Sequence, residues 1–280
     1  MTWPCCSRSA AAAVSLRTEN PAAVAVAPVS PAQSASAARL ASELQLPLLQ
    51  GDVPDIQDSR FDLLLLVSAA GLALQLTGIR PPGPVTVDFE SGAMRHRRRG
   101  GHNELLGKAV GIGKRPVLRV VDATAGLGRD AWVLADLGCR VVMCERHALI
   151  RCLLEDGLSR VSESPDSPLI ETAARMRLWP GDARDLDLDA EGSDVIYLDP
   201  MYPDRQKSAA VKKEMALFQR LLSGAPDEDE ELLLWALDQA VARVVIKRPP
   251  KASPLGGRAP SHTIRGKAVR YDVHVLRPLT

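Results

Sequence analysis

Val117–Glu145 reads VLRVVDATAGLGRDAWVLADLGCRVVMCE, and the order of its patterns decides the fold. Val117–Asp122 is a short, β-branched apolar run that ends on a carboxylate, the pattern of a buried strand leaving a sheet. TAGLGRD follows, a turn carrying Gly126 and Gly128, and then AWVLADLG, with apolar residues at helical spacing. Arg140–Glu145 repeats the strand pattern and again ends on an acid. Strand, glycine turn, helix and strand in so short a span predict a βαβ unit and a parallel sheet.

The same alternation continues downstream. ALIRCLLEDGLSRV predicts a helix, MRLWPGDA a third strand with its loop, DVIYLDP a fourth strand, and AAVKKEMALFQRLL another helix. ARVVIKRPP and KAVRYDVHVL supply the final strands. The expected architecture is α/β, a mostly parallel sheet with helices on both faces. Upstream, residues 1–38 are rich in Ala, Pro and Ser and read as a disordered tail. Residues 39–90 read as a small strand-rich unit: a short helix near Ala38–Leu44, a leucine-rich hairpin and then VTVDF. A basic loop, RHRRRGGHNELLGKAVG, leads into the domain of residues 91–280.

Apolar residues make up 46% of the 280, enough for a large core, and the net charge of +1 conceals an asymmetry. Val241–Thr280 holds nine Lys or Arg against one acid, Asp272, while Asp182–Asp194 holds six acids against Arg184. Local basic surface is therefore available to an acidic partner. The five cysteines form no C-x-x-C pair and are joined by no paired histidines, so no metal site is expected; a reduced, cytoplasmic chain is. The N-terminus lacks the basic start and unbroken apolar core of a secretory signal. FDLLLLVSAAGLALQLTGI carries Asp62, Gln75 and Thr77 and a central Ser-Ala-Ala-Gly, and Leu72, Leu74 and Leu76 alternate with smaller or polar residues, so it reads as two strands and a turn rather than a membrane span.

In parallel sheets ligands bind beyond the carboxyl ends of the strands, which here are Asp122, Glu145 and Asp199. Gly126 and Gly128 let the backbone approach a ligand closely, and the helix that follows offers free N–H groups. Glu145, ending the next strand, can accept both hydroxyls of a ribose. Nicotinamide and S-adenosylmethionine folds share this arrangement. The third glycine of the dinucleotide fingerprint is missing, and Asp130 stands where a pyrophosphate would be repelled, whereas a cationic sulfonium would not be.

Asp199-Pro200-Met201-Tyr202-Pro203 follows the fourth strand. An exocyclic amine is a poor nucleophile because its lone pair is delocalised into the aromatic ring. The Asp199 carboxylate and the Pro200 carbonyl can each accept one N–H, aiming that lone pair at a methyl donor, and the prolines hold both acceptors in place. Tyr202 can stack on a base taken out of its helix.

VDFESGAMRHRRRGG, LGKAVGI, VVDATAGLGRDAWVLADLGCRV, ER, YLDPMYP and QKSAAVKKEM, in that order and spacing from about residue 85 onward, resemble the RsmJ-type family of small-subunit ribosomal RNA guanine N2-methyltransferases. The resemblance implies a class I methyltransferase (Rossmann-like) fold, S-adenosylmethionine as cofactor, and a guanine amine of 16S ribosomal RNA as acceptor. It implies cofactor contacts by Arg129, Asp130, Glu145, Arg146 and Asp199, and, through the GDAR loop, by Asp182 and Ala183. Met201 departs from the Asp/Asn-Pro-Pro-Tyr/Phe pattern of amino methyltransferases.

Basic runs border these motifs: Arg95, Arg97, Arg98 and Arg99, then Lys108, Lys114 and Arg115 before the domain; Lys207, Lys212 and Lys213 after Asp199. Lys247, Arg248, Lys251, Arg265 and Lys267 lie in the tail. Together they suit a phosphate-binding rim for the ribosomal RNA or the small subunit. Two other readings stay open, an N6-adenine methyltransferase of DNA or RNA and a non-catalytic RNA-binding assembly factor.

Overall fold

The computed structural model describes residues 22–51, 54–57, 60–92, 94, 102–200, 209–221 and 228–279. Two sheets organise them. The larger has seven strands in the order β6-β5-β4-β7-β8-β10-β9. Its elements are β4 (Arg119–Asp122), β5 (Arg140–Cys144), β6 (Met176–Trp179), β7 (Val195–Leu198), β8 (Arg243–Arg248), β9 (His262–Arg265) and β10 (Arg270–Val275). β4 to β8 pair in parallel, and β10 runs antiparallel to both β8 and β9.

Period-two side chains settle the two faces. Val120, Val141, Val195, Tyr197 and Val245 enter one core; Val121, Val142, Ile196, Val244 and Ile246 enter the other. From β4 the chain builds outward to β5 and β6, then returns to place β7 on β4's other side. The switch point therefore lies between β4 and β7, the pair that ends on Asp122 and leads into Asp199.

The smaller sheet has the order β1-β2-β3, from β1 (Val24–Pro28), β2 (Leu63–Ser68) and β3 (Gly71–Leu76). β1 pairs in parallel with β2, and β2–β3 is the expected leucine-rich hairpin. β1 corrects the expected tail boundary at residue 38: every residue of VAVAP is buried in this sheet. Its Ala and Val residues resemble low complexity, but small side chains are what a strand packed closely under a helix needs. Helix α1 (Ser34–Leu44) also starts before residue 38 and seats Ala37 and Ala41 against β1. Residues 1–21 lie outside the described residues. VTVDF forms an isolated bridge, Val85 to Leu74, rather than a strand.

Part of the expected basic loop is helical: α2 spans His102–Val110, and Arg243 donates to its Ala109 carbonyl at 3.1 Å. α3 (Arg129–Asp136) follows the glycine turn, and α4 (Ala148–Ser162) follows β5. α5 (Ser167–Ala173) was not anticipated, nor was edge strand β9. α6 (Leu188–Glu191) is a single turn before β7; α7 (Ala209–Leu221) and α8 (Glu228–Leu237) stand between β7 and β8.

The two sheets share one core, in which Leu63, Leu65 and Leu74 join Trp132, Leu153 and Leu154. At Gly157 of α4 a Cβ would lie 2.5 Å from Val87 Cγ1, so the missing side chain is what admits the 85–89 segment. Arg160 of the same helix donates to the Val87 carbonyl. Among the described residues, no helix is long and apolar enough to cross a membrane.

Candidate active site

β4 ends on Asp122, which is buried and accepts from the Thr124 N–H at 3.2 Å. The turn then passes through left-handed backbone at Gly126 (φ 52°) and Gly128 (φ 71°). At Gly128 a side chain would also meet Leu154 at 2.8 Å and Phe89 at 3.2 Å. At Gly126 the nearest side-chain atom to a Cβ would be Phe218 of α7, at 3.7 Å.

Glu145 holds this turn from the neighbouring strand. Its Oε2 accepts from the Gly126 N–H at 3.1 Å and its Oε1 from the His147 N–H at 2.7 Å. Burial pushes its carboxyl up to about 7, against the pull of those two donors and of Arg146 and Arg151. A carboxylate oxygen has two lone-pair sites, so each keeps capacity for a ligand hydroxyl.

Four further groups meet at the strand ends. Asp130, in the first turn of α3 and buried, accepts from the Tyr197 hydroxyl at 2.7 Å and from Lys247 Nζ at 2.7 Å. The same ammonium donates to Asp199 Oδ2 at 2.6 Å. The Asp199 N–H donates to Thr124 Oγ1 at 2.6 Å, which ties the end of β7 to the glycine turn, and Pro200 is buried behind it. Burial first, then the charges of Asp130 and Asp199, push the Asp122 carboxyl well above the usual range. One ammonium thus faces three carboxyl groups, two of them its direct partners.

Arg129 is bound by Glu214 of α7 through both guanidinium Nη atoms. Their ion pair borders a cleft of about 210 Å³ walled by Val87, Phe89, Met94 and Leu127. Phe89 stacks on Trp132 of α3 at 4.5 Å, pinning this wall to the helix behind the turn. Asp182 accepts from the Arg184 N–H and guanidinium at 2.8–2.9 Å. Burial raises its carboxyl, but these contacts outweigh burial and hold it below the usual value. Arg146 lies 4.0 Å from Asp182 and pairs with Glu228, and Ala183 is buried beside them.

Asp122, Gly126, Gly128, Asp130, Glu145 and Asp199 are therefore brought to one switch point. Two expectations on the basic rim are corrected. Lys247 is turned inward onto Asp130 and Asp199, and Arg248 is buried, donating to the Ser253 carbonyl at 2.8 Å. The reason is that β8 runs to Arg248, in register with Arg270, so both side chains belong to the sheet's faces. Tyr202, Lys207, Arg95, Arg97, Arg98 and Arg99 lie outside the described residues, as do the side chains of Lys212 and Lys213 in the first turn of α7. Lys251, Arg265 and Lys267 are exposed and make no ion pair among the described residues. Arg265 is level with Arg270 and Arg248, at the same edge of the sheet as Asp199. Thr124, Tyr197 and Glu214 were missed, and only their nearness to the motifs could have marked them. Among the described residues no group of His, Cys, Asp or Glu is arranged to hold a metal ion.

A SAM-dependent methyltransferase family model matches residues 51–276. The ribosomal RNA small subunit methyltransferase J of Thioalkalivibrio sulfidiphilus is 49% identical over 242 residues, covering 84% of this chain and 91% of that protein. Its counterpart from Stutzerimonas stutzeri is 48% identical over 262 residues, covering 91% and 96%. A crystal structure of a SAM-dependent methyltransferase from Neisseria gonorrhoeae superimposes with a TM-score of 0.66 at 34% identity, covering 91% of this chain and 96% of that one.

Proposed function

The chain belongs to the SAM-dependent methyltransferase family of the small-subunit ribosomal RNA methyltransferases J, and on that premise we propose that it methylates the exocyclic N2 amine of a guanine in 16S ribosomal RNA. The observation that carries the proposal is the meeting of the Glu145-braced glycine turn with Asp199 across the β4–β7 switch point.

The donor set fits S-adenosylmethionine. Glu145 keeps lone pairs for ribose hydroxyls, Gly126 leaves the turn open, and the carboxyl-rich strand ends favour a cation over a pyrophosphate. Bound there, the cofactor supplies an electrophilic methyl group. Asp199 and the Pro200 carbonyl each accept a hydrogen bond from one N–H of the target amine, so that its lone pair is directed out of conjugation. Tyr202 stacks on the extruded base. Lys251, Arg265 and Lys267, at the same edge of the sheet, meet the phosphates on either side of the target.

Incubating the enzyme with labelled S-adenosylmethionine and small-subunit RNA from a strain lacking the gene, then digesting to nucleosides, tests this. Label in N2-methylguanosine is expected. Label in N6-methyladenosine would replace the reading with adenine methylation, and RNA binding without transfer would leave an assembly factor.

Glu145 supplies a second test. Charge-assisted bonds to ribose are worth about 1.5–3 kcal/mol each, so Glu145→Ala should weaken S-adenosylmethionine binding by about tenfold or more in calorimetry. Hydroxyl donors favour the carboxylate, so wild-type affinity should rise with pH through about 7 and then level off. Glu145→Gln should flatten that rise. Folding stability runs the other way: a carboxyl raised from 4.5 to about 7 makes a contribution that is full below 4.5 and is lost as pH climbs to about 7.

A further inference from the structure

We propose that Lys247 is a positioning residue for Asp199, an inference that rests on Asp199 being the acceptor of the target amine. The parallel register pairs Leu198 with Ile246, so the next residues, Asp199 just past β7 and Lys247 still within β8, stand side by side. Lys247 does not stop at Asp199. Its ammonium bridges 2.6 Å to Asp199 Oδ2 and 2.7 Å to Asp130 Oδ2, and Asp130 is anchored in turn by the Tyr197 hydroxyl.

The two carboxylates differ in freedom. Asp130 is buried on the first turn of α3 and fixed by Tyr197, whereas the Asp199 side chain is 37% exposed. The fixed partner therefore orients the ammonium, and the ammonium orients the exposed partner. Without that cation two carboxylates would share one small volume and repel, and Asp199 would turn toward water. Lys247 thus sets the direction in which Asp199 presents its oxygens to an incoming amine. It also links the helix after the glycine turn to the catalytic strand end, so both halves of the site share one charge.

The test is single-turnover methyl transfer to under-modified small-subunit RNA, with cofactor affinity measured alongside. Lys247→Ala should slow transfer by about tenfold or more, and Lys247→Arg should recover part of the rate. Added ethylammonium should recover part of the Lys247→Ala rate where equal sodium chloride does not, because a small ammonium refills the space between the carboxylates. In an Asp199→Ala background, Lys247→Ala should cost less than about twofold further, since its effect runs through Asp199. Should Lys247→Ala fail to fold with Asp130 left uncompensated, Lys247→Met with Asp130→Asn removes both charges and, set against Asp130→Asn alone, should still slow transfer severalfold, because no ammonium is left to orient Asp199. Wild-type transfer in that pair or in Lys247→Ala overturns the proposal, as does an equal loss in both Asp199 backgrounds. Wild-type transfer by Asp199→Ala itself overturns the amine-acceptor reading, and the proposal with it, so the two failures are told apart.

Discussion

Asp199→Ala is expected to slow methyl transfer by about a hundredfold or more, on the order of 3 kcal/mol in the barrier. The amine nitrogen gains positive charge only as the methyl group arrives, so a carboxylate facing it stabilises the transition state more than the bound ground state. A strong base is not needed, because the methylated nitrogen is cationic and sheds its proton readily. RNA affinity should hardly change, since phosphate contacts supply most of it. Asp199→Asn keeps an acceptor oxygen without the charge and should fall between wild type and Asp199→Ala. Single-turnover transfer of labelled methyl measures all three. An Asp199→Ala enzyme as fast as wild type would reduce Asp-Pro-Met-Tyr-Pro to a strand cap.

Arg270→Met should destabilise the fold by about 3–5 kcal/mol. Arg270 and Asp272 are both buried on β10, two residues apart on one face, and pair through two bonds at 2.7 and 2.8 Å. The same guanidinium donates to the Ala252 carbonyl at 2.8 Å and the Pro250 carbonyl at 3.3 Å, closing the loop that leaves β8. Methionine fills much of the volume but strands the buried Asp272 charge and leaves the two half-buried loop carbonyls without their donor. Adding Asp272→Leu removes the stranded charge and should return a large part of the loss. Urea unfolding of the single and double variants decides this: equal midpoints for Arg270→Met and wild type would show that the pair holds nothing.

The strands and helices around the glycine turn were legible because each carries its own period, and because glycine and acidic residues punctuate the strand ends. Asp122, Glu145 and Asp199 could be named for the same reason. β1 was hidden by its composition, since a strand of small residues looks like a low-complexity tail until β2 is beside it. β9 was hidden by exposure: HTIR is an edge strand with no buried face to impose alternation. Lys247 was hidden by distance. Its carboxylate partners lie 48 and 117 residues away, and within IKRPP an inward lysine and a phosphate-facing one read alike.

The core shared by the two sheets has a consequence for how the chain is born. β2 and β3 leave the ribosome well before α4, the helix that packs on β3 and carries Gly157 against Val87. From residue 90 to Ser162 about seventy residues must still be added, which at about 5–20 residues per second takes roughly 4–14 seconds. Through that interval the leucine-rich hairpin lacks the α4 face that later covers it, and the outer edge of β3, opposite the β2 pairing, is open to pairing with another chain. A chain stopped in this window is therefore expected to aggregate rather than to behave as a small folded domain.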